Sequence, residues 1–210
     1  MTIRSPLVMC FRGSRFYITL LVSDGLYLSG LHYVYLLVAG LFGDLGVALL
    51  EKLISVVTVG GTFDVLHKGH WFLLEEAFNV AERVLIGLTT DRFVARMGKS
   101  HPVEGYEGRL VELERWLGSR GFLGRAEIIH IDDRYGPTIG NRPRSNVIEG
   151  ILVSEETEPG AEAINRIRVA EGKRPLLIVV VTMVMADDGV PISSTRIRRQ
   201  EVDRYGRLVG

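Results

Sequence analysis

Two histidines, a glycine pair and a threonine stand close together in the run Gly60-Gly61-Thr62-Phe63-Asp64-Val65-Leu66-His67-Lys68-Gly69-His70. Their types and spacing suit the handling of phosphate. Glycines let a backbone approach a phosphate closely. Thr62 adds a hydroxyl donor, and His67 and His70 put two imidazoles one helical turn apart with Gly69 leaving room between them. Where such a run opens a helix, the free N–H groups and partial positive charge of the helix start favour an anion. Two histidines at this spacing could instead bind a metal, but no Glu stands at the second position between them, as the zinc-protease pattern requires. The run also lacks the Gly-Lys-Ser/Thr ending of a P-loop and the glycine spacing of a dinucleotide fingerprint.

These residues need a strand behind them and a helix in front. The β-branched run 54–59 reads as a buried strand that enters the Gly60-Gly61 turn. Residues 71–82 place Leu74, Ala77, Phe78 and Ala81 at helical spacing. The alternation continues: strand over 83–89, helix over 106–117 with Leu110, Leu113 and Leu117 as its stripe, then strands over 127–131 and 150–153. A helix over 157–171, stopped by Gly172 and Pro175, precedes a solid aliphatic strand over 176–181. Ser193 suits the cap of a final helix. Strand–helix alternation of this kind predicts an α/β fold, a Rossmann-like doubly wound parallel sheet of about five strands. Its ligand belongs at the carboxyl ends of the strands, near a switch in strand order.

Residues 1–53 read differently. From Gly25 to Gly43 there is no Asp, Glu, Lys or Arg, which is about the length of a membrane span. Glycines, Ser29 and His32 interrupt that run, so a packed element and a start placed too far upstream are the competing readings. The chain therefore divides into an apolar amino-terminal extension, 1–53, and a catalytic-type domain, 54–210. Membrane association is expected only through residues 16–50.

The chain has 210 residues, with 25 Lys+Arg against 25 Asp+Glu and 47% hydrophobic residues. That is globular composition. A balanced charge argues against a nucleic-acid binder, which needs a basic face. Cys10 is the single cysteine, which excludes an intrachain disulfide and a cysteine zinc site and fits a reducing, cytoplasmic compartment.

The first run resembles the HxGH signature of the nucleotidyltransferase superfamily. That superfamily carries a second signature near the carboxyl end, which Ile192-Ser193-Ser194-Thr195-Arg196-Ile197-Arg198 matches. The stretches 132–138, 153–157 and 186–191 are further similar to the archaeal type of phosphopantetheine adenylyltransferase, and to one domain of the eukaryotic coenzyme A synthase. The resemblance covers roughly 54–208 and none of the first 53 residues. It implies transfer of AMP from ATP to 4'-phosphopantetheine, with Mg2+ accompanying the ATP. It implies His70 and His67 as catalytic residues, with His70 on the α-phosphate. Gly61, Thr62, Phe63, His70, Ser193, Ser194, Thr195 and Arg198 would bind ATP. Thr62, Lys99 and Arg109 would face the incoming substrate phosphate. Asp132 and Asp133 read either as metal ligands or as a strand end, and Ser154–Thr157 either as a helix start or as a nucleoside contact. FAD synthetases and cytidylyltransferases share the first signature, and a nucleotide-binding protein without catalysis is the third reading.

Overall fold

A computed structural model describes residues 54–99 and 101–210. The amino-terminal extension, with its apolar run and the expected boundary near residue 53, lies outside the described residues. Five strands form one parallel sheet: β1 (Val56–Gly61), β2 (Arg83–Thr89), β3 (Ala126–Ile131), β4 (Gly150–Ser154) and β5 (Leu177–Val181), in the order β3-β2-β1-β4-β5. Helices α1 (Lys68–Val80), α2 (Asp91–Arg96), α3 (Tyr106–Ser119), α4 (Glu158–Ala170) and α5 (Ser194–Arg198) follow in chain order. This is the expected doubly wound sheet.

The layering follows from the strand period. Val57 and Val59 of β1, Val84, Ile86 and Leu88 of β2, and Leu152, Val179 and Val181 point to one face, where Leu74, Ala77 and Phe78 of α1 and Leu113 and Leu117 of α3 cover them. Val56, Leu85, Ile151 and Val153 point to the other, against Ala161 and Ile164 of α4. Parallel crossovers are right-handed, so a chain that builds outward from β1 in both directions must put its helices on opposite faces. The reversal falls between β1 and β4. These two pair only at Val57–Gly150 and Thr58–Ile151, whereas β1 pairs with β2 along its whole length. Beyond Thr58 the two strands are no longer paired, and it is at such a reversal, outside the carboxyl ends of the strands, that α/β sheets hold ligands.

Most boundaries shift by one or two residues, and two of the shifts bear on the site. Strand β1 runs on through Gly60 and Gly61, which pair with Gly87 and Leu88. A Cβ at Gly87 would lie 3.0 Å from Ile131, so the glycines make room for that side chain to lie across the strands. Helix α1 starts three residues earlier than its apolar spacing suggested, because His67 caps it. The crossover from β3 to β4 holds turns where a helix is usual. Buried Arg168 of α4 ties it down, donating from Nη1 to the carbonyls of Thr138 (2.5 Å) and Ser145 (3.0 Å) and from Nε to that of Arg174. Asp133 accepts from Arg142 and from the N–H groups of Tyr135 and Gly136, and Asp132 takes the Thr90 hydroxyl at 2.7 Å. Both aspartates thus serve the strand end.

Leu113 is fully buried between α3 and the sheet. Leu113→Ala is expected to lower stability by about 2–5 kcal/mol, read from urea denaturation.

Candidate active site

The loop that leaves β1 is held in an uncommon conformation. Phe63 and Val65 both have positive φ, 48° and 47°. For a β-branched residue such as Val65 this is strained, on the order of 1–3 kcal/mol. The Phe63 ring is fully buried beneath the turn, and a Cβ at Gly61 would come within 3.1 Å of it. Leu66 is held from the side: its N–H donates to Glu112 of α3, whose carboxylate also takes Arg204 of the carboxyl-terminal tail. The Arg204 carbonyl in turn accepts the Lys68 N–H at 2.9 Å.

His67 is the N-cap of α1. Its Nδ1 accepts the Gly69 N–H at 3.1 Å, so the ring is unprotonated there and carries its proton on Nε2. A Cβ at Gly69 would meet the His67 ring at 3.0 Å, which accounts for the glycine. Burial, then the Arg204 charge, hold the His67 pKa down to about 4, against a smaller opposing pull from Asp64. The His70 ring stacks on that of His67 with centroids 3.9 Å apart. Burial above all, then His67 and Lys99, push the His70 pKa well below the usual histidine value. Both rings are therefore neutral at pH 7. Each can donate one N–H hydrogen bond, and neither brings a cation. The Nδ1 of His70 is buried without a partner among the described residues.

The second cluster reaches this loop through Asp64. The Asp64 carboxylate is 2% exposed and accepts Arg198 Nε at 2.7 Å, Arg198 Nη2 at 2.6 Å and the Glu104 N–H at 3.0 Å. Its carbonyl takes the hydroxyl of Ser194. Burial disfavours the charged carboxylate, but the Arg198 hydrogen bonds and the Glu104 N–H outweigh it and leave its pKa below the usual value. Ser193 caps α5 by accepting the Arg196 N–H at 3.3 Å. Gly61, Thr62, Phe63, His67 and His70 thus sit on one turn, and Ser193, Ser194, Thr195 and Arg198 come to it from 130 residues later in the chain. Lys99 is exposed and near enough for its charge to act on His70.

Arg109 is a correction. It is completely buried, and all five of its N–H donors are spent: Nε on Glu104 O, Nη1 on Thr62 O and the Thr89 hydroxyl, Nη2 on Thr89 O and Asp91. No donor is left for a substrate phosphate. Arg109 fixes the ends of β1 and β2 to α3, and acts on the site through Thr62 and through Glu104, whose N–H holds Asp64. Ser154 to Thr157 closes on itself, with the Thr157 hydroxyl accepting the Ser154 N–H at 3.1 Å. Sequence reasoning gave no role to Asp64 or Glu112. The available signal was a carboxylate inside an otherwise apolar run, in a chain with three arginines at 196–199.

Residues 58–200 match the model of the cytidylyltransferase-like family. The chain is 45% identical, over 160 residues, to a phosphopantetheine adenylyltransferase of Methanothermobacter thermautotrophicus, covering 76% of this chain and 93% of that one. It is 42% identical to one of Pyrococcus abyssi, over 73% of this chain and 94% of the relative. A solved structure of a protein of unknown function from Archaeoglobus fulgidus is similar with a TM-score of 0.51 and 35% identity, over 60% of this chain and 87% of that one. Tyrosyl-tRNA synthetase of Aeropyrum pernix, at 9% identity and a TM-score of 0.50 over 72% of this chain and 60% of its own, shares the fold alone.

Two outcomes follow from these contacts. Arg109→Met leaves the carbonyls of Thr62 and Thr89 without donors, and is expected to lower stability by roughly 3 kcal/mol or more in urea denaturation. His67 titrates lower in the folded chain than in the unfolded one. Stability is thus complete above pH 6.5 and is lost as pH falls toward about 4, the unfolded chain binding protons first. His67→Asn keeps a capping acceptor that does not titrate, so its urea midpoint should fall less than that of the native chain between pH 7 and 4.5.

Proposed function

The chain belongs to the cytidylyltransferase-like family and, within it, to the phosphopantetheine adenylyltransferases, and on that premise we propose that it transfers AMP from ATP to 4'-phosphopantetheine, giving dephospho-coenzyme A and pyrophosphate, a step of coenzyme A biosynthesis. The observation that carries the reading is the meeting of the two signatures: Ser194 and Arg198 both bond to Asp64, on the loop that presents His67 and His70. A fold could keep one signature by inheritance. Joining both at the β1–β4 reversal supports a working nucleotide site.

The reaction asks little covalent chemistry of the protein. An oxygen of the acceptor phosphate attacks the α-phosphorus of ATP in line, the new P–O bond forms, and the bond to the β-phosphate breaks as pyrophosphate leaves. The attacking phosphate is already anionic, since its second pKa is about 6. No general base is needed. What the protein must supply is position and fixed donors for the charge that gathers on the transferring group. Neutral His70 suits that task at the α-phosphate: its depressed pKa keeps it an N–H donor that neither gains nor loses a proton over the cycle. His67, Thr62 and the backbone of Gly61 and Phe63 line the same turn. Ser193, Ser194, Thr195 and Arg198 suit the β- and γ-phosphates, and exposed Lys99 suits the acceptor phosphate.

Among the described residues no three His, Cys, Asp or Glu side chains stand together as a metal cage. The carboxylate of the turn, Asp64, is buried and already accepts three N–H donors. This donor set fits Mg2+ as an ion carried by ATP oxygens, where it would offset phosphate charge. Among the described residues no helix is long and apolar enough to cross a membrane. The reading places the enzyme in the cytoplasm, beside its ATP.

Purified protein with magnesium and ATP is expected to release pyrophosphate when given 4'-phosphopantetheine, and not with CTP or with other phosphate acceptors. Activity on another acceptor, or on CTP, would keep the mechanism and replace the substrate. His70→Ala should cost about 10²–10³ in turnover, the size of one lost preorganised donor; near-native turnover from the folded variant would remove His70 from the chemistry.

A further inference from the structure

We propose that Asp64 is a positioning residue of the transfer reaction: it aims the free edge of Arg198 at the nucleotide phosphates and makes one site of two sequence-distant signatures. The inference rests on the phosphate-binding reading of Arg198 given above.

A guanidinium has two edges that can each grip an oxyanion. The Nε–Nη2 edge of Arg198 is taken by Asp64, at 2.7 and 2.6 Å. Among the described residues Nη1 of Arg198 has no hydrogen-bond partner, and the side chain is 27% exposed. The carboxylate that holds it is 2% exposed and is itself held, by the Glu104 N–H on Oδ1 and by its own place in the strained loop. Arg198 thus has one edge fixed to the body of the protein and one edge left for a ligand. The Ser194 hydroxyl spends its one proton on the Asp64 carbonyl and so ties the start of α5 to the same residue.

A surface arginine free to swing would lose rotamer entropy on binding phosphate. Arg198 has already lost it. By charge alone Asp64 repels phosphate and offsets Arg198, so its value must lie in orientation. That makes the two explanations separable. If Asp64 orients Arg198, removing the carboxylate weakens ATP binding. If Asp64 merely masks Arg198, removing it strengthens ATP binding.

Asp64→Asn preserves size and the Oδ1 acceptor that the Glu104 N–H shares with Arg198 Nη2, and loses the carboxylate charge and the acceptor for Arg198 Nε, so the two-point grip is broken. The Kd for ATP with magnesium, read by calorimetry without acceptor, is expected to rise about tenfold. The fall in kcat/KM for ATP should exceed any change in Tm-corrected folded fraction. In the Arg198→Ala background the same substitution should change Kd by less than twofold, because there is no guanidinium left to aim. Arg198→Lys keeps an ion pair but has no second edge, and should bind ATP as weakly as Arg198→Ala. Unchanged or tighter ATP binding by Asp64→Asn, or equal losses in both backgrounds, would overturn the proposal. If Asp64→Asn does not fold, ATP affinity of Arg198→Lys at the native level would overturn it instead. ATP binding is read without acceptor, so a wrong choice of acceptor leaves this test standing, and failure here leaves the acceptor assignment standing.

Discussion

A charge taken out of water has to be given partners, and this constraint organises the site. The described part of the chain buries the guanidinium groups of Arg109 and Arg168 and the carboxyl groups of Asp64 and Glu76. Glu76 bonds Asn79 on its own helix and burial raises its pKa; each of the other three is held by groups on other elements, so each works as a fastener between elements. Arg109 joins the ends of β1 and β2 to α3, Arg168 joins the β3–β4 crossover to α4, and Asp64 joins the β1 loop to α5. A buried ion is a poor source of net stability, because desolvation offsets much of its attraction. It is an effective source of uniqueness, because any other arrangement leaves the charge unpaired.

The loop these fasteners hold is not one the chain would choose locally. Two side-chain-bearing residues stand at positive φ within three positions, and one is β-branched. The strain is met by the buried Phe63 ring on one side and by Glu112 and Arg109 on the other. In return the His67 cap, the His70 ring stacked on it and the glycine turn are held together on one loop. Rigidity of this kind is what a reaction between two polyanions requires, since donors that must first reorganise stabilise the transition state less.

Neutrality of the histidines is part of the same design. Burial, joined by the Arg204 charge at His67 and by His67 and Lys99 at His70, holds both pKa values below the usual histidine value. Neither imidazole changes charge across the pH range in which an ordinary histidine titrates.

The sequence by itself determined the alternation of strands and helices and both signatures, because these are encoded at short range: period two, period 3.6, caps, and runs of a dozen residues; the strand order, and with it the β1–β4 switch point, came from the tertiary structure. It also placed β2 at its observed limits and the other strands within two residues. It could not distinguish one arginine from another. Arg109 and Arg198 both read as phosphate contacts. Burial separated them, spending all five donors of the first within the protein and leaving one edge of the second open. Nor could it show that Asp64 faces Arg198 across 134 positions. Which partners a charge finds is set by the packing of elements against one another, a long-range property that no local pattern carries; only the tertiary structure decided it.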